Sequence, residues 1–273
     1  MNMKEEKYRP GLSRVAVPSP TLPPATTTNA WVLGKQNVIV VDPAGVKEKF
    51  QKQLGDILSN RRVKAIFLTH HHRDHIGGAV HLAKSTGAEI ICSAYTAQKL
   101  PFEVDRHLVA DEELRIDEES WKIIWTPGHA KGHLCLFSQS TKDLVAGDMV
   151  AGVGTILIDV PEGNLADYLH SLNALKKLSP LRLLPAHGPA ISPAISYLEK
   201  YIDHRNMRTR QVKQAINKGL HHPLQIVKFI YTELNPVYYP IAARQINCHL
   251  DWLIENGEVQ QQEEGFYMSQ RKG

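Results

Sequence analysis

The chain has 273 residues, of which 42% are hydrophobic and 22% are charged, and its formal net charge is +4. These values are ordinary for a folded globular protein and exclude a disordered chain or a minimal disulfide scaffold. No apolar run approaches the roughly 18 residues of a membrane span, and residues 1–10 have no hydrophobic signal segment, so we expect a cytoplasmic protein without membrane contact. Cys92, Cys135 and Cys248 each lie in an apolar run, which predicts free thiols.

The N-terminal 30 residues contain a proline-rich passage at 17–24. Proline at this density disfavours helix and favours an extended loop. Two interpretations stay open, a surface loop or a flap over an active site. Strands over 30–33 and 37–42 and a helix over 46–58 are predicted next, from alternating and helical apolar spacing.

Many short apolar runs bounded by turn signals follow, with few long helices among them. Two packed sheets accommodate so many short strands more economically than one parallel sheet. A helix from the Gly77–Gly78 pair to about Ser85 interrupts the series. The predicted strands are 63–68, 89–93, 106–109, 121–125, 134–138, 144–146 and 181–184.

The stretch Leu68–Gly78 contains four side chains able to bind a transition metal, His70, His72, Asp74 and His75. In extended chain, residues two apart project from the same side, which places His70 and His72 together. Asp74 and His75 occupy the turn into the next helix and face a second point. The spacing therefore predicts two half-sites.

Three further candidate ligands each follow a predicted strand and lie directly beside a glycine. They are His129, Asp148 and His187. Strand ends gather along one edge of a two-sheet sandwich. These residues can therefore converge with the 70–75 cluster, which gives seven ligands in all.

The order His-x-His-x-Asp-His, then His129, Asp148 and His187, resembles the signature of the metallo-β-lactamase-fold hydrolase superfamily over roughly residues 12–190. The resemblance implies an αββα sandwich, an α/β (α+β) fold, with a metal site at its edge. It also implies two divalent metal ions, with His71 as a spacer. The implied ligands are His70, His72 and His129 for one metal, Asp74, His75 and His187 for the second, and Asp148 bridging both.

Asp148 makes the chain similar to glyoxalase II, RNase Z and the β-lactamase-like endoribonuclease group, since zinc β-lactamases as a family lack that carboxylate. Of these, the endoribonuclease group is the most similar, in the run at 147–155 and in the later His204-Arg205-Asn206 with Arg208. Two cations about 3.5–4 Å apart lower the pKa of a shared water towards about 7, so a bridging hydroxide is the expected nucleophile, oriented by Asp74. Imidazole and carboxylate ligands favour zinc and also accept iron or manganese. Asp42 and His133 are expected either to orient the ligands or to be purely structural.

The C-terminal third has the spacing of helices at 164–178, 193–218, 223–234 and 241–256, with a hairpin at 259–269. Three helices and a hairpin are the order of a winged helix, which the endoribonuclease group also carries. We predict a hydrolase domain over 1–192, a connecting helix over 193–220 and a winged-helix-like domain over 221–273.

The winged-helix segment carries four basic and six acidic residues, so duplex DNA is an unlikely ligand and a roof over the active site or a contact in a homodimer is expected instead. Positive charge is concentrated at 200–218, with six basic residues and one acidic residue. The segment forms either a solvated helix face or a surface for phosphates. In the second case Arg205 and Arg208, three apart on one helix side, face the metal cleft.

Three functions are compatible with the sequence. The first is a metal-dependent endoribonuclease acting on single-stranded RNA, which the resemblance and the basic segment favour. The second is a glyoxalase II-like hydrolase of a small-molecule thioester or lactone. The third, least favoured, is a DNA-binding regulator whose hydrolase domain senses a ligand.

Overall fold

Two β-sheets pack face to face and carry helices on their outer sides in a computed structural model that describes residues 2–269. Arg271 and Lys272, which entered the charge count of the C-terminal segment, lie outside the described residues. Cys92, Cys135 and Cys248 are buried free thiols, as predicted. Within the described range, no helix has the length and apolar character needed to cross a membrane.

The larger sheet has seven strands in chain order, and only the segment from its fourth to its seventh strand is parallel. The smaller sheet has five strands in the reverse of their chain order. The larger sheet comprises β1 (Glu5–Arg9), β2 (Leu12–Pro18), β3 (Thr27–Leu33), β4 (Asn37–Val41), β5 (Arg62–Phe67), β6 (Glu89–Ser93) and β7 (Arg106–Leu108). The smaller sheet comprises β8 (Glu113–Ile116), β9 (Glu119–Trp125), β10 (Leu134–Ser138), β11 (Asp143–Gly147) and β12 (Arg182–Pro185).

Among residues 2–269, eight α-helices surround the sheets and build the C-terminal unit. The 3₁₀ turn Pro236–Tyr238 precedes the last of them. The helices are α1 (Glu48–Leu58), α2 (Arg73–Ile76), α3 (Ala79–Thr86), α4 (Ala94–Lys99), α5 (Leu165–Lys177), α6 (Ala194–Asn217), α7 (Pro223–Ile230) and α8 (Tyr239–Glu255). A hairpin of β13 (Val259–Gln262) and β14 (Gly265–Met268) ends the described chain.

Side-chain alternation along the strands separates the layers of the sandwich. On β4, Val38 and Val40 face α1 and α3, whereas Ile39 and Val41 face the smaller sheet. Apolar side chains of both sheets, including the fully buried Trp121, fill the space between them. The outer face of the smaller sheet packs on α5 and the start of α6. The predicted αββα sandwich is therefore confirmed.

Helix α6 belongs to two cores. Leu198 near its start packs in the cluster on the smaller sheet, whereas Val212 and Ile216 near its end pack with α7, α8 and the hairpin. The last part of α6, α7, α8 and the hairpin together form the predicted winged-helix unit. The connecting helix is thus shared by both units and is not a free linker.

The strands β1, β2 and β8 were not predicted from the sequence, and the proline-rich loop is shorter than predicted. β1 and β2 form an antiparallel pair at the edge of the larger sheet, and β8 forms the edge of the smaller one. β1 reads Glu5-Glu6-Lys7-Tyr8-Arg9 and exposes much of its surface, so it lacks the apolar alternation of an inner strand. The proline-rich passage begins within β2, which ends at Pro18, and the chain enters β3 at Thr27.

Candidate metal centre

The predicted ligands follow the carboxyl ends of four strands. β9, β11 and β12 run in one direction, because β10 is antiparallel to β9 and β11, and β12 is parallel to β11. Their carboxyl ends therefore share one edge of the smaller sheet, and the end of β5 meets them there. The structure brings together all seven predicted ligands, His70, His72, Asp74, His75, His129, Asp148 and His187.

A close backbone approach fixes the segment that carries Asp74 and His75. These residues lie on α2, a helix of four residues that stops at Gly77. The amide of Gly78 then donates a hydrogen bond to the carbonyl of Pro43 at 2.6 Å. A Cβ at Gly78 would lie 2.1 Å from that carbonyl oxygen, so only glycine fits here.

Three imidazole nitrogens form a tight triangle. Nδ1 of His72 lies 2.9 Å from Nε2 of His70 and 3.0 Å from Nε2 of His129. The two Nε2 atoms of His70 and His129 are 3.2 Å apart. All three side chains thus point to one position.

The outer hydrogen bonds of these rings determine where their protons lie. Nδ1 of His129 is 2.7 Å from the carbonyl of Leu157, which can only accept, so the proton is on Nδ1. Thr69 Oγ1 donates to Asp42 and therefore accepts from Nδ1 of His70 at 2.9 Å. Nε2 of both rings consequently carries a lone pair. Two bare nitrogens 3.2 Å apart repel each other unless a cation lies between them.

Carboxylates dominate the other half of the centre. Nδ1 of His75 donates to Asp42 Oδ2 at 2.8 Å, and Nδ1 of His187 donates to the carbonyl of Thr27 at 3.0 Å. Their Nε2 atoms face carboxylates, since His187 Nε2 is 3.6 Å from Asp74 Oδ2 and His75 Nε2 is 3.9 Å from Asp74 Oδ1. This half therefore combines two imidazoles with acidic oxygens.

Asp148 lies between the two halves. Its Oδ2 is 3.4 Å from Nε2 of His129 and 3.5 Å from Nε2 of His75, while its Oδ1 is 3.4 Å from Nε2 of His187. One carboxylate thus reaches ligands of both halves. This is the position that a bridging ligand requires.

The electrostatics of the two halves differ in sign. Burial and the neighbouring histidines lower the pKa of His72 to about 2, and burial lowers the pKa of His129 as well. Burial alone would also lower the pKa of His75 and His187. At His75 the negative charges of Asp148, Asp74 and Asp42 together outweigh it, and at His187 the charge and hydrogen bond of Asp148, together with the Thr27 carbonyl, do so, so the pKa of both is raised. Burial likewise opposes ionisation of Asp148, yet His187 and His75 hold its pKa well below the usual value.

The donor set fits divalent cations. Four groups of ligand atoms have all their members within 4.8 Å of one another, and three of these groups consist of the predicted ligands. Nε2 of His75 and Oδ1 of Asp148 are buried without a hydrogen-bond partner, although buried polar atoms are normally paired. Imidazole nitrogens and carboxylate oxygens with no thiolate suit zinc and related metals.

Comparison with known proteins agrees with this geometry. The family model described as "Metallo-beta-lactamase superfamily" matches residues 23–187. The chain belongs to the metallo-β-lactamase superfamily. Members of this superfamily are metal-dependent hydrolases, and the protein is therefore an enzyme of that type. A second model, "Beta-lactamase associated winged helix domain", matches residues 223–267.

Relatives and solved structures of superfamily members cover most of the chain. A "Beta-lactamase-like protein 2 homolog" of Drosophila melanogaster is 28% identical over 263 residues, which are 89% of this chain and 88% of that protein. An "Atrochrysone carboxyl ACP thioesterase" of Aspergillus fumigatus is 26% identical over 69% of this chain and 59% of its own. The crystal structure of a β-lactamase domain protein from Burkholderia ambifaria has a TM-score of 0.85 at 20% identity, covering 97% of this chain and 94% of its own.

Asp42 and His133 both contact the ligand set. Asp42 is 1% exposed and accepts hydrogen bonds from His75 and from the amide and hydroxyl of Thr69. Nε2 of His133 accepts from the amide of Asp148 at 3.1 Å, and its Nδ1 donates to Thr126 Oγ1 at 2.8 Å. Burial lowers the pKa of His133 to about 3, so the ring is neutral. Both residues thus lie where they can orient metal ligands.

In one interpretation of the basic segment Arg205 and Arg208 face the metal cleft, but neither side chain lines the cavity in the structure. Arg205 is only 2% exposed and lies over the ring of Tyr168, with 5.3 Å between its Cζ and the ring centroid. Arg208 lies over the ring of Tyr231 at 4.5 Å. The two arginines do share one side of α6, but that side packs between the sandwich and the winged-helix unit.

A cavity of about 250 Å³ opens onto the predicted ligands. One wall is the proline-rich loop at 20–25, which takes the position expected of the flap interpretation. A second wall is the segment 153–157, between β11 and α5. Three charged side chains complete the lining, Asp159, Glu162 and Arg244.

Arg244 and Glu162 were not singled out as cavity residues by the sequence. Arg244 lies on α8 and forms a bidentate ion pair with Asp159, which places the winged-helix unit over the cavity. Glu162 Oε2 is 3.2 Å from Nε2 of His71, the residue interpreted as a spacer. The sequence indicated Arg244 only indirectly, through the expectation that the winged-helix segment forms a roof over the active site. The contact of Arg244 with the cavity depends on how α8 packs against the sandwich.

Proposed function

We propose that the protein hydrolyses a small acyl substrate, a thioester or lactone with an apolar acyl part, at a dinuclear metal centre. The observation that carries this proposal is the cavity, which is small and places apolar side chains beside the ligand set. Leu22 and Val153 line it and are 51% and 38% exposed. Exposed apolar side chains next to a reactive centre are typical of a ligand site.

In this proposal His70, His72 and His129 hold one cation, Asp74, His75 and His187 hold the second, and Asp148 contacts both. Zinc is the proposed metal, and the same donors accept iron or manganese. When bound, the cation pair supplies Lewis acidity and a water of lowered pKa. Asp74, whose side chain is 17% exposed and lines the cavity, is positioned to orient that water and accept its proton.

The charge of the cavity also supports an acyl substrate over a polyanion. Arg244 is the one basic residue among the lining side chains of the described chain, and Asp159 already neutralises it. Glu162 adds negative charge on the same side. A nucleic acid strand requires unpaired cations along its path. The thioesterase named among the relatives is consistent with acyl chemistry.

The test is a panel of acyl thioesters and lactones of increasing chain length, assayed with purified, zinc-loaded protein beside single-stranded RNA. We expect hydrolysis of the acyl compounds with KM falling as the chain lengthens. The substitutions Leu22→Ala and Val153→Ala should raise KM for long chains and leave kcat within about twofold, because they remove ground-state contacts. Ile195→Ala, at a similarly exposed position on α6, is the matched control. RNA cleavage without acyl hydrolysis would reject the proposal.

An endoribonuclease is the second candidate, favoured by the basic residues on α6. Lys200, Arg210 and Lys218 remain exposed, whereas Lys213 is paired with Glu258. Cleavage of single-stranded RNA that falls with rising salt and is lost in Asp148→Ala would select this function. We do not propose binding of duplex DNA, and a gel shift at moderate salt tests that expectation.

A further inference from the structure

Three successive residues between β11 and α5 are tied to three different parts of the molecule, and we call residues 156–158 the anchored segment. The carbonyl of Ile156 accepts a hydrogen bond from Nη2 of Arg205 on α6. The carbonyl of Leu157 accepts from Nδ1 of His129 at 2.7 Å. The amide of Ile158 donates to Oε1 of Gln245 on α8 at 3.0 Å.

Packing fixes the anchored segment as firmly as its hydrogen bonds do. Ile156 and Ile158 are 2% and 0% exposed and lie in the core on the outer face of the smaller sheet. Leu157 between them lines the cavity. Because its neighbours are held on both sides, the Leu157 carbonyl has one position, and that position determines which nitrogen of His129 carries the proton.

Arg205 is an unusual residue for a purely structural contact. It is buried, yet no carboxylate lies within ion-pair distance of it among residues 2–269. A buried guanidinium without a counter-ion is costly, so its contacts with the segment and with the ring of Tyr168 must offset a large penalty.

Tyr168 extends the same support to the rest of the centre. Its hydroxyl donates to the carbonyl of Met149, next to Asp148, at 2.6 Å. Gly128, next to His129, packs so closely on it that a Cβ would lie 2.3 Å from the Tyr168 Cα. The side chain of Arg205 therefore lies behind both ligand loops, not behind the anchored segment alone.

We propose that Arg205 and Gln245 are positioning residues for His129. On this proposal, docking of the winged-helix unit on the sandwich completes the site formed by His70, His72 and His129. The other half does not depend on this contact, since His75 and His187 take their tautomers from Asp42 and from the carbonyl of Thr27. Through Gln245, the C-terminal unit thus controls the affinity of one cation, whereas Arg205 lies behind the loops of both His129 and Asp148.

The test is metal binding by the full-length Gln245→Leu variant, stripped of metal and titrated with Zn²⁺ against a chromophoric chelator. Substituted Co²⁺ reports the three-histidine site separately by its visible absorption. We expect one of the two cations to bind about 10-fold or more weakly, with loss of the corresponding Co²⁺ band, because loss of an outer partner typically costs 10–100-fold in affinity. The second cation should bind as in the wild type.

Two further variants separate positioning from general destabilisation. Gln245→Glu keeps an acceptor for the Ile158 amide and should restore the affinity. Ile246→Val weakens the winged-helix core one residue away without touching the anchored segment, and it should lower Tm without changing either affinity. Wild-type affinities in Gln245→Leu, or an equal loss at both sites, would overturn the proposal. The readout involves no substrate, so failure of the acyl-hydrolase assignment leaves it unaffected.

Discussion

Two clusters of buried polar side chains serve this protein in opposite ways. In the metal centre, the outer nitrogens of His70, His75, His129 and His187 donate to oxygen acceptors, and carboxylates face the remaining nitrogens of His75, His129 and His187. In the seam between sandwich and winged-helix unit, no acidic residue among the described ones pairs with the buried polar groups. We define the seam by Arg205, Thr209, Gln245 and His249.

The contrast shows what completes each cluster. The metal centre has excess lone pairs and negative charge, so cations complete it. The seam has excess donors and positive charge, and its partners are backbone groups such as the Ile156 carbonyl. Nε2 of His249 and Nε2 of Gln245 have no hydrogen-bond partner there. The first cluster should therefore respond to metal, and the second to protonation and packing.

The largest expected effect is at the bridging position of the metal centre. Asp148→Asn keeps the shape of the side chain but removes the charge that faces both halves. We expect hydrolysis to fall by about 10³-fold or more, because on the proposed function Asp148 is the ligand that both cations would share. Steady-state kinetics and metal content by mass spectrometry measure both. Near-normal activity with two bound metals would contradict the bridging role.

The seam should lose stability when its charge is removed. Arg205→Met leaves the buried carbonyl of Ile156 without its donor, which costs about 1–3 kcal/mol. Urea unfolding monitored by circular dichroism measures the change. Arg210→Met, at an exposed position on the same helix, is the matched control and should shift the free energy of unfolding by less than about 0.5 kcal/mol. Equal effects of the two variants would remove the distinction between a buried and an exposed arginine.

Acid should act on the seam through His249. Burial, together with the charges of Arg205, His204 and Arg208, lowers the pKa of this residue to about 3. Its pKa in the unfolded chain is about 6.5, so below that pH the unfolded state binds a proton that the folded state rejects. Stability is therefore complete above pH about 6.5 and falls by up to about 1.4 kcal/mol per pH unit as the pH drops towards 3.

The measurement is the free energy of unfolding as a function of pH for wild type and His249→Gln. The variant should show a flatter profile between pH about 6.5 and the acid limit, while His170→Gln, at an exposed position on α5, should follow the wild type. Identical slopes for wild type and His249→Gln would show that this histidine does not link the seam to pH.

The smallest effect is expected at the mouth of the cavity. Arg244 and Asp159 form an ion pair whose side chains are 54% and 29% exposed. Such pairs contribute at most about 1 kcal/mol, so Arg244→Ala should lower Tm by only a few degrees. Thermal unfolding at low and high salt checks this, since screening should reduce the difference. A large loss would mean that the pair, and not the seam, holds the two units together.

The sequence predicts the metal centre better than it predicts the seam, for a physical reason. Ligands must converge on a point, so His70 to His75 are dense in the chain and His129, Asp148 and His187 recur at strand ends. The spacing of Arg205 and Arg208 correctly predicted that the two side chains share one side of the helix. Which partner covers that side depends on the docking of α8, and nothing in local spacing encodes it.

The fold shows the same limit. Inner strands such as β4 and β5 are visible as runs of Val, Ile and Phe, whereas the edge strand β1 consists mainly of charged residues and is stabilised by its pairing with β2. Gln245 and Arg244 show the same limit of sequence-based prediction near the metal centre. Both lie on a helix more than 50 residues after His187, and only tertiary contact relates them to the metal centre.

Two of the metal-facing histidines are oriented by backbone carbonyls of the very segments that wall the cavity. The carbonyl of Leu157 accepts a hydrogen bond from His129, and the side chain of Leu157 lines the cavity. The carbonyl of Thr27, the first residue of β3 after the proline-rich loop, accepts a hydrogen bond from His187. A carbonyl is present whatever side chain a residue carries. Substitution of the cavity side chains can therefore change which substrate binds while the predicted metal ligands keep their orientation. Substrate specificity can thus change without a change in the catalytic centre.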